Sequence, residues 1–341
     1  MKSLRFTLLG LFLLSIVSAC GNEAEETTAD NDGDGETEAW EPEGNLEIVA
    51  PAGAGGGWDT TARMAAQVFG ETGIIDEGIG VINREGGGGA VGWSYIAGQA
   101  EDPHYMFVAS PPLLLIPLNG QSEYGYEDFT PLANMIADFG AFAVRDDAPW
   151  ESLDELFEDL KENPGEISVV GESAPGSMDH VQFVNIAKAA GVDPRSIQYV
   201  SAQDGSAMTN LLNGSVQVYS TGVTETIEQV RAGEVRVLGI TAEERLEGEV
   251  VEDFPTAIEQ GIDETFINWR GFFGPPGMTD EQVAYYEEKF KELHESDEWG
   301  EMRENYSWEP YFMSGEEYSD FLAEQNAEMQ ALLEELDLYG E

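Results

Sequence analysis

Basic residues, cysteine and histidine are all scarce in this chain of 341 residues. Fifteen Lys and Arg face 67 Asp and Glu, which gives a formal net charge of −52 at pH 7. Nucleic acids and anionic membrane surfaces are bound through cationic patches, so this charge argues against both as electrostatic partners. A single cysteine cannot form an internal disulfide or a cysteine-rich zinc site, and the three histidines lie far apart in sequence. We therefore expect no metal and no cofactor.

The first twenty residues have the pattern of an export signal. Lys2 and Arg5 precede an apolar run over 8–17, which is too short to span a bilayer as a stable anchor. The run ends in Val-Ser-Ala-Cys, which is similar to the bacterial lipoprotein cleavage box. The sequence therefore predicts a lipoprotein signal peptide over 1–20 with Cys20 as the lipidated residue. An ordinary signal peptide with a chance cysteine is the alternative.

An acidic segment follows the export signal. Residues 21–44 contain ten acidic residues and no basic ones, and only Trp40 offers a large apolar side chain. Such a composition is typical of a solvated, charge-extended tether. We predict a linker over 21–45 and a folded region that begins at Leu46. The remaining chain is apolar enough for two ordinary domains, because hydrophobic residues make up 42% of the whole.

Short apolar runs alternate with amphipathic stretches from Leu46 onward. The runs predict strands at 46–50, 79–83, 105–109, 141–145, 167–170, 197–200, 216–219, 235–240 and 269–273. Helices are predicted near 59–69, 89–99, 152–162, 178–190, 204–213 and 224–232, and the last sixty residues are predicted to be helical. This alternation predicts an α/β architecture with largely parallel sheets. Three pairs fit a capping box at a helix start: Ser152 with Glu155, Thr279 with Gln282, and Ser314 with Glu317.

The turns after the strands are where a ligand is expected, because helix N-termini offer unpaired N–H groups to anions. The first such turn, over 51–60, reads Pro-Ala-Gly-Ala-Gly-Gly-Gly-Trp-Asp-Thr. Its glycines allow a close backbone approach to a ligand. No Gly-Lys-Ser/Thr follows, and Gly53, Gly55 and Gly56 lack the spacing of a dinucleotide fingerprint. A small anion is therefore favoured over a nucleotide.

A second glycine-rich turn lies between a predicted strand and helix at 84–92, and it includes Gly87, Gly88, Gly89 and Ala90. Two such turns in one half-sheet can embrace a single anionic group. Glycines that only permit tight packing are the alternative.

The third turn, 171–180, combines hydroxyls with a helix start. Ser177 is placed as an N-cap, and Ser173 adds a second hydroxyl. Residues 171–175 nearly match the Gly-x-Ser-x-Gly nucleophile elbow, with Pro175 in place of the last glycine. His180 lies three residues after Ser177, which favours a packing role over that of a catalytic base. A secreted serine hydrolase that uses Ser173 or Ser177 with His180 is the competing function.

A fourth region adds hydroxyls and a further helix start. Ser201 follows a predicted strand, and Asp204 is predicted as an N-cap. Thr221 and Gly222 follow the next strand, and Thr224 is predicted as another N-cap.

Four motifs together resemble one family. They are the stretch 50–63, the glycine turn 85–92, the pattern Gly-x-Ser-x-x-Gly-Ser-x-x-His over 171–180, and residues 199–213. In this order after a lipoprotein leader, they are similar to the extracytoplasmic solute receptors of tripartite tricarboxylate transporters, also called Bug receptors. The chain departs from many relatives in having Pro-Pro-Leu-Leu-Leu-Ile over 111–116 where they carry a polar Asn-Pro stretch.

The resemblance implies an α/β, two-domain, type II periplasmic-binding-protein-like fold with a ligand cleft between the domains. We expect 46–143 plus 268–341 to form domain 1 and 144–267 to form domain 2, with chain crossings near 141–145 and 266–270. The turns and the resemblance together give these expected ligand-binding residues: Gly56, Gly57, Trp58, Asp59, Thr60, Gly87, Gly88, Gly89, Ala90, Ser173, Gly176, Ser177, His180, Ser201, Thr221 and Gly222.

The function implied is that of an exported, lipid-anchored, monomeric receptor that is not an enzyme. It would bind a small carboxylate, with a tricarboxylate such as citrate as the first candidate. It would deliver this ligand to the large and small integral membrane subunits of a tripartite transporter. Its expected location is the outer face of the cytoplasmic membrane or the periplasm.

Overall fold

A computed structural model describes residues 40–202 and 205–340. The predicted signal peptide, the lipidation site Cys20, the linker up to residue 39 and the predicted N-cap Asp204 lie outside this part of the chain. The packed region includes residues before Leu46. The Trp40 ring contacts Tyr285 edge-on, with 5.3 Å between ring centroids. Trp40, which lies inside the linker predicted over 21–45, thus packs on the folded region, because burying an indole ring is favourable.

In the described residues the chain forms ten strands and ten α-helices. The strands are β1 Leu46–Ala50, β2 Ile79–Asn83, β3 Tyr105–Ala109, β4 Thr130–Arg145, β5 Ser168–Gly171, β6 Gln198–Ser201, β7 Val218–Gly222, β8 Val235–Ile240, β9 Ile267–Gly274 and β10 Glu309–Ser314. The helices are α1 Gly57–Thr72, α2 Ala90–Ala97, α3 Pro112–Leu118, α4 Leu153–Glu162, α5 Met178–Ala189, α6 Ala207–Leu212, α7 Ile227–Arg231, α8 Asp280–Glu295, α9 Asp297–Tyr306 and α10 Gly315–Glu335.

The first half of the sheet structure runs in the order β2, β1, β3, β9, β4, β10. Strands β1, β2 and β3 are parallel, with Val49 opposite Ile82 and Phe107. Strand β9 is antiparallel to both β3 and the first part of β4. The turns that follow β1 and β2 therefore meet at one edge of this sheet, as expected for the carboxyl ends of parallel strands.

The second half is built on the last part of β4. Strand β4 changes partners between Phe139 and Gly140: the residues up to Phe139 pair with β9, and those from Gly140 onward pair with β7 and β8. Strands β6, β5 and β7 are parallel neighbours. The chain returns to the first half in β9. The two halves thus share one continuous strand, and the exact domain boundaries given above remain a prediction.

Aromatic side chains fill the core of each half. In the first half, Phe69 of α1 and Phe272 of β9 pack on Phe290 of α8, at 5.5 and 4.6 Å between ring centroids. In the second half, Phe142 and Phe157 both contact Phe183 of α5. Burying one such ring contributes roughly 1.5–3 kcal/mol to folding. These contacts hold the helices against the sheets and fix the positions of the turns between them.

Several elements differ from the sequence prediction. Strand β4 has sixteen residues instead of the five predicted, and it includes the buried polar residues Asn134 and Asp138. Asn134 donates to the Tyr311 carbonyl and Asp138 accepts from Arg270, so tertiary partners permit polar side chains that break the apolar pattern. Helix α3 and strand β10 were not predicted; β10 interrupts the region expected to be entirely helical.

The predicted helix signals are partly confirmed. Thr279 and Gln282 form a full capping box, and Ser152 accepts from the Glu155 N–H. The box predicted at Ser314 is wrong, because its hydroxyl accepts no hydrogen bond from the helix. Thr224 is likewise not a side-chain cap, because it lies inside a short 3₁₀ turn before α7. Within the described residues, no helix combines the length and the apolarity needed to cross a membrane.

Candidate functional site

The first glycine turn leads directly into α1. The helix begins at Gly57, and its N-cap is Gly56, which has no side chain to accept from the first helical N–H groups. Gly55 adopts a φ of +85°, a conformation that favours glycine. The positive end of a sixteen-residue helix dipole therefore faces the turn without a side-chain cap, which is favourable for an anion.

Asp59, a predicted ligand-binding residue, holds this turn in shape. Its carboxylate accepts from the Gly55 N–H at 2.8 Å, from the Asn83 amide at 2.8 Å and from Arg63 at 2.8 Å. Burial raises the pKa of Asp59, but the hydrogen bonds from Arg63, Gly55 and Asn83 outweigh it and leave the pKa below its usual value. Thr60 lies in the first helical turn, where its N–H donates to the Gly56 carbonyl. Asp59 is therefore ionised and fully bonded within the protein.

The second glycine turn packs against the first. Gly87, Gly88 and Gly89 all have positive φ angles and form a 3₁₀ turn that leads into α2 at Ala90. Trp58 of the first turn contacts the Trp93 ring of α2 at 6.4 Å between centroids, and its indole N–H donates to the Ser110 hydroxyl at 2.9 Å. The structure thus brings the two glycine turns together, as the strand order predicts.

The third turn is held by a network around Asp179 of α5. The Asp179 carboxylate accepts from the Glu172 N–H at 2.8 Å and from the Ser173 N–H at 3.0 Å. The Ser173 hydroxyl accepts from the Asp179 N–H at 2.9 Å. Ser177 is at the N-cap position, but its hydroxyl makes no cap hydrogen bond, so the predicted side-chain cap is wrong. Ser173 caps the helix instead, since its hydroxyl accepts from the N–H of the second helical residue.

His180 is a buried, packed histidine. Its Nδ1 accepts from the Gly176 N–H at 3.0 Å, and its ring stacks on Tyr199 at 4.5 Å. Burial lowers the pKa of His180 to about 4, so the ring is neutral at physiological pH. Among the described residues, no hydrogen bond joins His180 to the hydroxyl of Ser173 or Ser177. A nucleophile and base pair needs such a bond or a close approach to one, so the hydrolase alternative has no support here.

The third turn also contacts the first half of the molecule. Asn119, at the end of α3, donates to the Gly176 carbonyl at 3.4 Å. Leu115 of α3 lies in one buried cluster with Val181 of α5 and Leu333 of α10. The apolar stretch 111–116, where the chain departs from many relatives, therefore forms a helix that packs between the halves.

The predicted residues of the fourth region lie in two separate parts of the structure, one at the third turn and one at a cavity. The Ser201 hydroxyl donates to the Ser173 carbonyl at 2.9 Å, which ties β6 to the third turn. Thr221 and Gly222, at the end of β7, line a cavity of about 120 Å³ between the two halves of the sheet structure. The other predicted ligand-binding residues do not line this cavity.

We name this space the acidic cavity. The sequence did not predict the charged and amide side chains that line it. They are Asp138, Glu172, Asp179, Gln182, Glu225, Asn268 and Arg270. The available signal was a charged residue in the interior of each of two largely apolar strands. Asp138 interrupts β4 and Arg270 interrupts β9. A charge at such a position is expected to have a partner, since an unpaired buried charge is costly.

Asp138 and Arg270 are that pair. Their side chains are 3% and 8% exposed, and Arg270 Nη2 lies 2.6 Å from the Asp138 carboxylate. Arg270 also donates to the Gly57 carbonyl at 3.4 Å. A Cβ at Gly57 would lie 2.6 Å from Arg270 Nη2, so only glycine fits there without displacing the guanidinium. Arg270 therefore joins the acidic cavity to the start of α1.

Two further carboxylates of the cavity, those of Asp179 and Glu225, have raised pKa values. Burial raises the pKa of Asp179 to about 7, against the two N–H donors that lower it, and the charges of Glu225 and Glu172 raise it further. Desolvation by the surrounding protein and the Asp138 charge raise the pKa of Glu225, an exposed residue, and the Arg270 charge lowers it in part. Crowded like charges thus favour the protonated forms. Among the described residues, no group of three or more His, Cys, Asp and Glu has an arrangement suited to a metal ion.

Comparison with known sequences identifies relatives over most of the chain. Residues 61–338 match the model of a family described as tripartite tricarboxylate transporter family receptor. A UPF0065 protein of Cupriavidus necator is 25% identical over 303 residues, which cover 87% of this chain and 89% of that protein. The family match begins just after the first glycine turn.

Comparison with solved structures gives the same picture for the fold. The periplasmic binding protein BugD superposes with a TM-score of 0.74 at 21% identity, covering 88% of this chain and 100% of that one. A structure of an R. palustris protein with adipate superposes with a TM-score of 0.76 at 21% identity, covering 88% and 99%. These likenesses confirm the predicted α/β, two-domain, periplasmic-binding-protein-like fold.

Proposed function

Because this chain belongs to the tripartite tricarboxylate transporter receptor family, we propose that it binds a small carboxylate and delivers it to the large and small membrane subunits of such a transporter. The proposal includes export, attachment to the outer face of the cytoplasmic membrane through a lipid on Cys20, and action as a monomer. The family is one of receptors, and the catalytic geometry of a serine hydrolase is missing from the third turn.

The observation that carries the proposal is the start of α1. Its first N–H groups have no side-chain cap, and they lie beside the second glycine turn, which also begins a helix without a side-chain cap. Arg63 is bound to Asp59, and Arg270 is bound to Asp138, so neither arginine is a free anion site. A carboxylate at this position would therefore be held by backbone N–H groups and helix dipoles.

The receptor function predicts a measurable gain in stability with the right carboxylate. Citrate is the first candidate because of the family's name, and malate, adipate and glutarate complete a panel of shorter and longer acids. A ligand present at 100 times its Kd stabilises the folded state by about 2.7 kcal/mol, which a thermal-shift assay detects.

Two glycines, one at the N-cap of α1 and one inside the helix, make the binding assay specific for the proposed site. Gly56 has a φ of −74° and its nearest obstacle to a Cβ is 3.4 Å away, so Gly56→Val folds but adds bulk at the helix start. We expect affinity to fall at least tenfold. Gly70→Ala, in the exposed last turn of α1, should add about 0.5–1 kcal/mol of stability and leave affinity unchanged. Equal affinity in Gly56→Val and wild type, measured by calorimetry, would contradict the proposed site.

A further inference from the structure

An apolar cluster joins the two halves of the molecule beside the third turn. The first half contributes Leu115 of α3 and Leu333 of α10, and the second half contributes Val181 and Val184 of α5. All four side chains are fully buried. Phe266, which lies at the return crossing just before β9, belongs to the same cluster. We name these five residues the bridging cluster.

Polar contacts between the halves lie near both ends of α5. Lys188 of α5 forms an ion pair with Glu335 of α10. Just before α5, the Gly176 carbonyl accepts from the Asn119 amide at 3.4 Å. A Cβ at Gly176 would lie 3.7 Å from the Leu338 side chain, so the chain after α10 also covers the third turn. One wall of the expected ligand site is thus held by elements of the other half.

Moving the third turn away from the first half would expose the bridging cluster to water. Burial of apolar surface is the main favourable term in the packing of such elements, so its loss opposes this movement. Two domains joined by a small or polar interface are expected to move relative to each other, whereas a large apolar interface holds them together. The cluster extends from the crossing at Phe266 to the start of α5, where Met178 also packs on it. It therefore restrains the third turn as well as the crossing.

We propose that the bridging cluster is a lock that keeps the two halves together whether or not a ligand is bound. The third turn is then in its binding position before the ligand arrives. A receptor of this kind loses no affinity to the population of an open state. The inference goes beyond the proposed function, because it concerns the relation of the two halves and is tested without a ligand.

Thiol labelling measures the opening of the bridging cluster. Val184→Cys places a small apolar side chain with a reactive group in the cluster, and Val68→Cys places one in the core of the first half. Both are combined with Cys20→Ser, so that each protein carries one thiol. Global unfolding exposes either thiol, whereas separation of the halves exposes only the one at position 184. We expect both proteins to react with a maleimide no faster than their own global unfolding allows, as determined from their free energies of unfolding in urea.

A second pair of variants tests whether the cluster is the cause. Leu115→Asn places an amide in the bridging cluster, where it is buried while the halves are in contact and reaches water when they separate. Leu114→Asn is the matched control, because Leu114 is buried among residues of the first half alone. We expect Leu115→Asn to raise labelling at position 184 about tenfold above the limit set by global unfolding, and Leu114→Asn to leave it at that limit. Leu115→Ala and Leu114→Ala give the same comparison if either Asn variant does not fold.

Two results would overturn the inference. Labelling of Val184→Cys faster than its global unfolding allows, with Leu115 and Leu114 unchanged, would show that the halves separate without a ligand. Labelling at position 184 that stays at the global-unfolding limit in both Leu115 variants would show that the cluster stabilises the fold without holding the halves together. Either result leaves the receptor function intact, since carboxylate binding is measured in a different experiment.

Discussion

At the scale of single residues, the third turn contains two serines with different environments. Ser173 uses its hydroxyl to accept from the Asp179 N–H, and it also lies near the Tyr199 hydroxyl at 3.3 Å. Ser177 is 3% exposed and makes no cap bond. The first serine therefore stabilises the turn, while the second has a hydroxyl available for another partner.

Replacing each serine by alanine should separate stability from binding. Ser173→Ala removes a cap to α5 and should lower the free energy of unfolding by about 1 kcal/mol. Ser177→Ala should change stability less, and should weaken carboxylate binding by about 1.5–3 kcal/mol if its hydroxyl donates to the charged ligand. Urea denaturation and calorimetry on both variants measure the two effects. Unchanged affinity in Ser177→Ala would remove this residue from the site.

The sequence was sufficient to place the residues of the turns but not their bonds. The glycines at 55–57 and 86–89 stand out in any reading of the sequence. Gly55 and the four glycines at 86–89 have the positive φ angles that favour glycine. The choice of Ser173 over Ser177 as the cap depends on the path of the folded turn, which local sequence does not show. Glu225 resembled an ordinary surface acid in the sequence, since nothing local to it shows that Asp138 and Asp179 lie nearby.

At the scale of elements, β4 and β9 are joined by a side-chain ion pair as well as by their backbone hydrogen bonds. The buried pair of Asp138 on β4 and Arg270 on β9 links two neighbouring strands, and the Arg270 bond to Gly57 adds helix α1. Three elements from distant parts of the sequence thus meet at one guanidinium group. This arrangement sets the distance between the start of α1 and the acidic cavity.

Removing one member of this pair should be far more damaging than removing both. Arg270→Gln leaves the Asp138 carboxylate buried without its partner and should cost about 3–5 kcal/mol in the free energy of unfolding. The double variant with Asp138→Asn should recover most of that loss, because no uncompensated charge remains. Urea unfolding of the two single variants and the double variant measures the coupling. Additive losses would show that the pair does not act as a unit.

Elements with a regular apolar pattern were predictable, and β1, β2, β3 and β8 have the bounds expected from sequence. The first part of β4 was not, because Asn134 and Asp138 break its apolar run and are tolerated only through tertiary bonds. Strand β10 lies among strong helix formers and exists because β4 offers an edge for it to pair with. Both failures arise where long-range contacts override local preference.

At the scale of the whole molecule, the excess of 52 negative charges destabilises the folded state. Like charges on the surface repel each other in the folded state more than in the extended chain. Few cations are available to offset this repulsion, and several of them are already paired with acids on the same element, as Arg231 is with Glu228. Added salt screens exposed charges, with a Debye length of about 10 Å at 0.1 M and about 3 Å at 1 M.

We therefore expect the melting temperature to rise as the NaCl concentration is raised from about 0.1 M to about 1 M. Over this range the Debye length falls about threefold, so the surface charges repel one another less. Calorimetric melting at constant pH measures the effect. Sucrose at matched osmolality serves as the control, because it stabilises proteins by exclusion without screening charge. A melting temperature that is constant in NaCl, or that rises equally in sucrose, would show that self-repulsion has little influence on this fold.

The shared strand β4 has a consequence for the order in which the chain can fold. A chain synthesised from its N-terminus presents β1, β2 and β3 early, but β9, which separates β3 from β4, comes only from residue 267 onward. The second half, from Gly140 to the end of β8, is contiguous and has all its strands available sooner. Non-local strand pairing is slow because a long loop must close first. The half that carries both glycine turns is thus the last to be completed, and the sheet behind the proposed anion site is finished only when β9 has been synthesised.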